Sequence, residues 1–276
     1  YPKLLKEINE PPLNLFYLGD LNRCNFDKCL AVVGSRNASN SSKKVLKNIM
    51  NELKQTDLCV VSGLALGADT QAHKCAIESN LSTIAVIGGG FNNLYPQQNK
   101  ELFNDIINKY GVVMSESWPD FEPIAWRFPH RNRIVNGLSK GTLVIEAKLK
   151  SGAIITANMC LDEGRELMCI PGDILNPNTE GIYHLLKNGA TMVTCANDIL
   201  DALNWNMPTK KKQEITNLNL NDYEQKIYEY IAVNNPNFDD IMIKTSLSSD
   251  EILLHLTTLE LKGLIKQVEG SRYTVT

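Results

Sequence analysis

Residues Leu30-Ala31-Val32-Val33-Gly34-Ser35-Arg36 establish the fold of this 276-residue chain. Four apolar residues form a run too short for a helix, and a turn of small and polar residues ends it. An amphipathic segment follows, whose apolar residues share one helical face: Val45, Leu46, Ile49, Met50 and Leu53. This order predicts a buried strand, a tight turn and a helix that covers the strand.

The same order of apolar run, turn and helical segment recurs along most of the chain. Further strands are predicted at residues 58–61, 83–87, 112–114, 142–145, 167–170 and 191–194. Further helices are predicted at about 67–79, at about 98–109 and after Ser151-Gly152. Strands that are apolar on both faces and alternate with helices indicate a mostly parallel sheet covered on both sides. The predicted fold class is α/β, an extended Rossmann-like, doubly wound sheet, which binds ligands beyond the strand carboxyl ends where strand order reverses.

Composition divides the chain into four stretches. Residues 1–30 are proline-marked and predict an extended amino-terminal segment with one edge strand at 13–18. Residues 31–203 form the predicted Rossmann-like domain, and the polar residues 204–219 form a linker. Residues 220–276 predict a small carboxyl-terminal winged-helix domain, with helices at 222–233, 238–245 and 249–262 and strands at 264–268 and 273–275.

Charge and cysteine content narrow the class of protein. The formal net charge is −3, and no apolar run approaches the roughly 18–20 residues of a membrane helix. Seven scattered cysteines without a C-x-x-C pair fit a reducing cytoplasm and argue against a zinc site. The chain opens at Tyr1 rather than Met, which predicts that sequence precedes it in the whole protein.

Positive charge is concentrated in residues 126–156. This stretch contains one acid, Glu146, and six basic residues. The basic residues are Arg127, Arg131, Arg133, Lys140, Lys148 and Lys150. A solvated charged face is one interpretation, but Trp126 and Phe128 interrupt the arginines and must pack somewhere. Guanidinium groups bind phosphates through paired hydrogen bonds, and aromatic rings stack on unpaired bases. We interpret the stretch as an arginine-rich loop and then a strand ending in Lys150-Ser151-Gly152, two parts of one polyanion site.

Three turns rich in hydrogen-bond donors should lie at the same sheet edge: Gly34-Ser35-Arg36, Ser62-Gly63 and Gly88-Gly89-Gly90. None continues as a dinucleotide or Walker motif, so nicotinamide and ATP chemistry have no support. A catalytic triad of Ser62, Asp69 and His73 is an alternative, since Asp69 and His73 are spaced to hydrogen-bond on one helix face. That spacing is more typical of a helix start, and no nucleophile elbow is present. We therefore predict no catalytic residue, no metal and no cofactor.

The ordered motifs resemble the DprA/Smf family, the DNA-processing proteins of bacterial natural transformation. They cover nearly the whole chain: Gly34-Ser35-Arg36, Ser62-Gly63-Leu64-Ala65, Gly67, Asp69, Ala72-His73, Tyr95-Pro96, Asn99, Ser115-Glu116, Phe128-Pro129, Arg131-Asn132-Arg133-Ile134, Gly137-Leu138-Ser139, Glu146-Ala147, Ser151-Gly152, Thr156-Ala157, Gly164-Arg165, Pro171-Gly172 and Gly189-Ala190. Two positions depart from the family pattern: Ser41-Ser42 replaces Tyr-Gly, and Tyr183 replaces an asparagine. An amino-terminal helical domain common in relatives is not part of this chain.

The resemblance implies a non-enzymatic protein that binds single-stranded DNA, forms homodimers and helps load the RecA recombinase onto incoming strands. It implies phosphate contacts from Arg36 and Lys150. Arg127, Arg131 and Arg133 would extend the same pocket. The remaining implied DNA-binding residues are Gly34, Ser35, Ser62, Gly63, Lys148, Ser151 and Gly152.

Two function classes stay open at this point. The first is a mediator of recombination that protects single-stranded DNA, and the alternative is a Rossmann-like enzyme or sensor of a free nucleotide or other phosphorylated ligand. The predicted winged helix carries five basic and nine acidic residues, so its charge of −4 disfavours duplex DNA. Its third predicted helix begins Ser249-Asp250-Glu251 and would repel phosphates, so we expect this domain to contact protein.

Overall fold

The predicted apolar runs become neighbouring strands of one eight-stranded sheet in the computed structural model. These strands are β1 Phe16–Gly19, β2 Cys29–Val33, β3 Cys59–Ser62, β4 Ser82–Val86, β5 Gly111–Ser115, β6 Gly141–Val144, β7 Glu166–Cys169 and β8 Thr191–Met192. Their order is β1-β5-β4-β3-β2-β6-β7-β8, and every pair is parallel except β1 with β5. The α/β class, the mostly parallel sheet and the edge strand are therefore confirmed.

Strand order reverses between β2 and β6. The chain builds β2, β3, β4 and β5 outward in one direction, and then returns to lay β6 on the other side of β2. Val33 and Val144 are register partners at this junction. Loops after the two strands leave in opposite directions, so a crevice opens between them.

Helices cover both faces of the sheet. They are α1 Asn40–Glu52, α2 Ala68–Glu78, α3 Lys100–Asp105, α4 Arg127–Gly137, α5 Gly152–Asp162, α6 Glu180–Lys187 and α7 Ala196–Ala202, and α3 continues as a π-helical stretch, Ile106–Tyr110. Apolar residues of α1, α2 and α7 pack with Leu30, Val32 and Val60 on one face. Residues of α4, α5 and α6 pack with Ala31, Val33 and others on the opposite face. Alternate residues of one strand therefore serve two cores, as a doubly wound sheet requires.

Two details of the predicted basic stretch are wrong. Residues 127–137 form helix α4 rather than a loop, because Ile134 and Val135 are buried in the core on this face of the sheet and Pro129 lies in the first turn, where proline is tolerated. Strand β6 ends at Val144, so Lys150 and Ser151 lie in the loop that follows it, and Gly152 begins α5. Charged and aromatic residues had hidden the helical period of α4.

The structure describes residues 1–205, 220–234, 236–245, 247–268 and 272–275. The chain divides into two compact units, Tyr1–Thr209 and Lys210–Thr276. Most of the predicted linker, residues 206–219, lies outside the described residues, whereas Trp205 is buried in the core of the first unit. Among the described residues, no helix combines the length and the apolar character that crossing a bilayer requires.

The second unit has the predicted winged-helix order. It contains α8 Asp222–Asn234, α9 Phe238–Thr245, α10 Ser249–Leu261 and the antiparallel strands β9 Ile265–Val268 and β10 Arg272–Val275. Its core includes Ile227, Ile241 and Leu256. The acidic start of α10 has a structural use, because Glu251 accepts a hydrogen bond from the backbone N–H of Ser248 at 2.9 Å and caps the helix. The turn at residues 269–271 lies outside the described residues.

Candidate functional site

A cavity of about 380 Å³ opens at the point where the strand order reverses. We call it the switch-point cavity. Three loops contribute residues that the sequence had singled out: Gly34, Ser35 and Arg36 after β2, Gly63 after β3, and Lys148, Ser151 and Gly152 after β6. Helix α4 supplies Phe128 and Arg131 to its wall. Residues more than a hundred positions apart thus meet at one sheet edge, as the pattern of turns predicted.

Exposed cations stand around this cavity. Arg36 and Lys148 are exposed and line it, and Lys150 is exposed but lies outside its lining. In the part of the chain that the structure describes, none of the three is within ion-pair distance of a carboxylate. Their charge is therefore available to an anionic ligand rather than neutralised inside the protein.

The acid within the basic stretch does not neutralise these cations. Glu146 is buried, and its carboxylate accepts hydrogen bonds from the backbone N–H of Ser39 at 2.6 Å and from the Asn176 amide at 2.8 Å. Glu146 therefore ties the loop before α1 to the loop after β7. Counting Glu146 among the charges of residues 126–156 therefore overestimates the negative charge at the cavity.

The amino terminus of α5 adds hydrogen-bond donors to the cavity. Ser151 is the N-cap residue, but its side chain makes no hydrogen bond to the first turn and instead donates to the carbonyl of Lys148 at 2.8 Å. Backbone N–H groups in the first turn of a helix have no intrahelical partner and favour anions. A Cβ atom added at Gly152 would meet nothing within 4 Å, so space remains in front of this helix end.

Ser35 is another hydroxyl of the cavity lining that can face a ligand. Its oxygen accepts a hydrogen bond from the backbone N–H of Asn37 at 3.1 Å, which leaves the O–H free to donate. Gly34 has a packing reason for being glycine. A Cβ there would lie 2.8 Å from the Cβ of Ala68 and 2.9 Å from Cγ1 of Ile145, so its absence lets α2 approach the sheet closely.

Arg131 lines the cavity, and two of its three guanidinium nitrogens donate hydrogen bonds to the protein. It is 7% exposed; one terminal nitrogen donates to the carbonyl of Gly63 at 2.8 Å and to that of Val86, and its Nε donates to Asn132 at 3.1 Å. Burial lowers the pKa of Arg131 to about 10, and the nearby carboxylate of Asp69 opposes that fall. Arg131 therefore binds the ends of β3 and β4 to α4. Arg131 thus has a structural role, and its predicted contact with a ligand stays a prediction.

Asp69 and His73 do not form the pair that their spacing allows. Asp69 accepts hydrogen bonds from the backbone N–H groups of Gly63 at 3.1 Å and Ala65 at 3.3 Å, and burial raises its pKa while Arg131 limits the rise. His73 is fully buried and contacts the Thr83 hydroxyl at 2.7 Å. Burial lowers the pKa of His73 to about 3. The geometry contains no activated nucleophile at this point.

Ser62 and Gly63 were predicted as donors to a ligand, and the structure uses both internally. Ser62 is fully buried and its hydroxyl donates to the carbonyl of Val32 at 2.6 Å. The N–H of Gly63 is bound to Asp69, and a Cβ at this position would collide with the guanidinium of Arg131. This turn supports the cavity floor rather than the ligand.

The two outer arginines of α4 are engaged away from the switch-point cavity. Arg133 donates to both carboxylate oxygens of Glu116, at 2.7 and 2.8 Å. Arg127 donates to the carbonyl of Glu122 at 2.8 Å and lies over the ring of Phe121. Successive arginines on a helix point in different directions, which an interpretation as a loop could not predict.

The third predicted turn holds a neighbouring segment in place. The N–H of Gly90 donates to the carbonyl of Phe121 at 2.8 Å, and the N–H of Asn92 donates to that of Pro119 at 2.9 Å. A Cβ at Gly90 would collide with the backbone of Trp118 and Pro119. The N–H of Gly90 is thus not free for a ligand at this cavity.

An aromatic pair in the cavity wall was not assigned to the site from the sequence. Tyr95 follows the glycine turn, and its ring lies 5.6 Å from that of Phe128, centroid to centroid. Both rings line the cavity. Tyr95-Pro96 was recognised as a turn and as a family motif, but nothing in the spacing places it opposite Phe128. Among the described residues, no group of three or more His, Cys, Asp or Glu is arranged to hold a metal.

The first unit is thus a Rossmann-like unit with a cationic cavity at the reversal of strand order, and the second unit is a winged helix. These two domains define a class of α/β proteins with a switch-point cavity and a carboxyl-terminal winged helix. The chain belongs to the DNA recombination-mediator protein A family, whose profile matches residues 1–204. A profile described as the DprA winged helix domain matches residues 212–271.

Individual relatives agree with that assignment. DNA processing protein DprA of Streptococcus pneumoniae is 44% identical over 200 residues, covering 72% of this chain and 70% of that protein. Protein Smf of Escherichia coli is 35% identical over 281 residues, covering 98% of this chain and 74% of the relative.

Solved structures show the same similarity. An X-ray structure of DprA from Streptococcus pneumoniae superposes with a TM-score of 0.70 at 42% identity, covering 73% of this chain and 70% of the other. A structure of DNA processing protein A from Helicobacter pylori, described with a unique single-stranded DNA binding mode, superposes with a TM-score of 0.67 at 28% identity. It covers 74% of this chain and 92% of that one.

Proposed function

We propose that this protein binds single-stranded DNA in the switch-point cavity, without catalysing a reaction. The observation that carries the proposal is the set of exposed cations without a carboxylate partner among the described residues, Arg36, Lys148 and Lys150, beside the open amino terminus of α5. Phosphates of a nucleic-acid backbone match both kinds of donor. The Helicobacter pylori relative is described with a single-stranded DNA binding mode, which supports the same ligand class.

The cavity favours unpaired over paired nucleotides. Its volume of about 380 Å³ is at the small end of ligand pockets, which suits a ligand of nucleotide size. The rings of Tyr95 and Phe128 in its wall offer apolar faces to a base. Stacking of bases on aromatic side chains beside a basic groove is the usual way in which proteins hold single strands without reading their sequence.

Fluorescence anisotropy tests the proposal directly. A labelled oligo-dT and a duplex of equal length are titrated with the protein at several salt concentrations. We expect the oligo-dT to bind more tightly and its affinity to fall steeply with salt. Equal affinity for the two DNAs, or no binding of either, contradicts the proposal.

Gly152→Glu separates the site from the rest of the surface. The new side chain enters open space, so the fold should be kept, while its carboxylate stands where a phosphate would bind. We expect this variant to lose most of its affinity for oligo-dT. The matched control is Lys54→Glu, because Lys54 is exposed and lies just before β3, at the opposite, amino-terminal edge of the sheet. Equal loss in the two variants argues against the cavity as the site.

A free nucleotide is the alternative ligand, and the volume of the cavity supports it. The two ligands differ in how affinity depends on length. A single-strand site binds longer oligonucleotides more tightly than short ones, because more phosphates are neutralised. A mononucleotide that displaces labelled oligo-dT completely at micromolar concentration would favour the alternative.

The family assignment also supports roles in DNA processing during natural transformation, in loading RecA and in homodimer formation. The RecA role is motivated by the family to which the chain belongs, that of a recombination mediator. Faster strand exchange by RecA on DNA that is coated with single-strand-binding protein is the expected result when this protein is added. Light scattering that gives the mass of one chain at micromolar concentration would contradict the dimer.

The winged helix is proposed to contact protein rather than duplex DNA. Its helix α10 begins with Ser249, Asp250 and Glu251 and exposes Leu253 (57%) and Leu254 (65%), a surface suited to apolar contacts and not to phosphates. A chain ending at residue 207 should therefore bind oligo-dT as tightly as the full chain. Loss of that binding, with the shortened chain still folded by circular dichroism, would contradict this division of roles.

A further inference from the structure

A second cavity, separate from the cationic one, lies at the start of helix α4. Its volume is about 270 Å³, and the residues that matter for the argument are Gly88, Glu116, Phe121, Trp126, Arg127 and Arg131. We call it the aromatic cleft. It holds two large exposed rings, since Trp126 is 60% and Phe121 is 45% exposed. Exposed tryptophan next to exposed phenylalanine is unfavourable in water, which points to a ligand that covers them.

The cleft carries a positive charge in a position suited to a nucleotide. The guanidinium carbon of Arg127 lies 4.9 Å from the ring centre of Phe121 and 5.6 Å from that of Trp126. An arginine held between two rings keeps its charge and presents a flat surface beside them. A base can therefore stack on the rings while a neighbouring phosphate binds Arg127.

The acid of the cleft is already neutralised. Glu116 binds Arg133 through both carboxylate oxygens, and the Nε2 atom of His130 lies 3.7 Å from one of them. This arrangement removes the repulsion that a free carboxylate would exert on a phosphate. Arg133 does not reach the switch-point cavity, but its pairing with Glu116 reduces the negative charge of the cleft.

The backbone that carries Phe121 is held by hydrogen bonds from the glycine turn. Backbone hydrogen bonds from Gly90 and Asn92 reach the carbonyls of Phe121 and Pro119, and the Asn93 side chain donates to the carbonyl of Asp120 at 2.7 Å. These contacts fix the backbone at Phe121, so little backbone ordering is needed there when a base stacks on its ring.

The aromatic cleft and the switch-point cavity are neighbours. Arg131 lines both, and the ring of Phe128, in the wall of the switch-point cavity, would touch a Cβ at Gly88, in the wall of the cleft, at 3.0 Å. Only the first turn of α4 therefore separates them. A strand that leaves one cavity meets the other within a nucleotide or two.

We propose that the aromatic cleft is a second binding site for an unpaired base of the same DNA strand, with Trp126 and Phe121 as the stacking surface and Arg127 as the phosphate contact. The strand crosses the first turn of α4 between the two sites. This inference rests on the proposed single-strand binding and adds a path for the strand to it. The occupant is a pyrimidine or purine base, because the rings offer faces and no hydrogen-bond pattern that selects among bases.

Trp126→Ala tests the cleft with an oligo-dT decanucleotide and a shorter probe. A decanucleotide spans both sites, so its affinity should fall about tenfold, in the range found for removal of one stacking ring. The shorter probe is the mononucleotide thymidine monophosphate, which fills the switch-point cavity alone and should bind the variant and the wild type equally. The salt dependence should stay the same, because a stacking contact releases no counterions. Trp126→Phe should restore most of the decanucleotide affinity.

Trp118→Ala is the matched control. Trp118 is 61% exposed and belongs to the same segment, but it is outside the lining of the cleft and packs on Phe16. We expect its removal to leave both affinities unchanged. Photocrosslinking with an iodouracil-substituted decanucleotide provides an independent measurement, and crosslinked peptides should contain Trp126 or Phe121.

The outcomes separate this inference from the proposed function. If the wild-type chain binds the decanucleotide and Trp126→Ala binds it with full affinity, the proposal for the cleft is overturned and the proposed function stands. Crosslinks confined to the switch-point cavity have the same consequence. Equal reductions in Trp126→Ala and Trp118→Ala also overturn it, since they indicate a general change in the segment. No binding by the wild-type chain overturns both the cleft and the proposed function.

Discussion

Two groups of basic residues in the first unit look alike in the sequence, but in the structure one group is exposed at the cavity and the other is bound within the protein. Arg36, Lys148 and Lys150 are exposed at the switch-point cavity and have no carboxylate partner among the described residues. Arg131 of α4 donates to strand-end carbonyl groups, and one terminal nitrogen of Arg133 pairs with the carboxylate of Glu116. The difference lies in burial, and it decides whether a cation binds a ligand or supports the site that does.

A local excess of arginine is therefore not itself a binding surface. A buried guanidinium needs acceptors for its donors, and strand-end carbonyls provide them for Arg131. An exposed one keeps its hydration and can exchange water for phosphate. Substitutions should therefore divide into those that change stability and those that change affinity.

Arg131→Met should give the largest effect, and it should be on stability. Removing the guanidinium leaves the carbonyls of Gly63 and Val86 and the charge of Asp69 without compensation, which should lower the free energy of unfolding by about 3 kcal/mol or more. Urea unfolding followed by circular dichroism measures the change. In the Asp69→Asn background the further decrease should be smaller, because the carboxylate is already neutral. A stability within error of the wild type would contradict the structural role.

Arg36→Glu should give the next largest effect, and it should be on affinity. Arg36 is exposed and lines the cavity, so the free energy of unfolding should hardly change. Reversing its charge should weaken oligo-dT binding about a hundredfold, because a charge-assisted phosphate interaction is replaced by repulsion. Anisotropy titrations should also show a shallower salt dependence, by roughly 0.7 for each phosphate that is no longer neutralised. A large decrease in stability would mean that Arg36 belongs with Arg131.

Burial also affects His73, where it makes the stability of the protein depend on pH. Burial, helped by Arg131, lowers the pKa of His73 from 6.5 to about 3, so the folded protein does not take up the proton that the unfolded chain binds below about pH 6.5. Stability contributed by the neutral ring is present above that pH and decreases as the pH falls towards 3. Acidification to about pH 5 should lower the free energy of unfolding by about 2 kcal/mol through this residue.

His73→Asn is the variant that checks this sign. It should be less stable than the wild type near neutral pH, because packing is impaired, but the gap should narrow as the pH falls. Urea unfolding at several pH values gives both curves. A gap that stays constant down to pH 5 would mean that His73 takes up its proton in the folded protein.

Lys148→Ala and Lys150→Ala should give the smallest effects and distinguish two members of the exposed group. Lys148 lines the cavity and Lys150 does not, so the first substitution should weaken oligo-dT binding about tenfold and the second by about threefold or less. Neither should change the unfolding midpoint. The reverse ranking would place the strand outside the cavity, along the loop that carries Lys150.

Much of the fold followed from the sequence for a simple reason. Short runs that are apolar on both faces have few structures available, so the strands and the doubly wound sheet could be predicted from Leu30–Val33 and the runs that repeat it. The winged helix followed in the same way from its helix and strand periods. Helix α4 escaped prediction because its buried residues, Ile134 and Val135, are outnumbered by charged and aromatic ones in the same segment.

The site was predicted in outline, and the structure shows which of the predicted residues line one cavity. The donor-rich turns were expected to meet, because carboxyl ends of parallel strands share one edge. Those after β2, β3 and β6 line the cavity, and Gly88-Gly89-Gly90 after β4 does not. Which donors face the cavity depended on hydrogen bonds between distant residues, such as that from Ser62 to Val32. No local pattern contains that information.

The elements, their order and the sheet edge at which the cavity opens could thus be predicted from the sequence alone, since apolar periodicity and turn residues act over a few neighbouring positions. Which cations are buried, which acids are paired and which rings are exposed emerged only from the tertiary structure. Burial is set by the packing of segments far apart in the chain. A guanidinium is directed to a carbonyl or to a phosphate by what lies around it, and that is a property of the folded molecule.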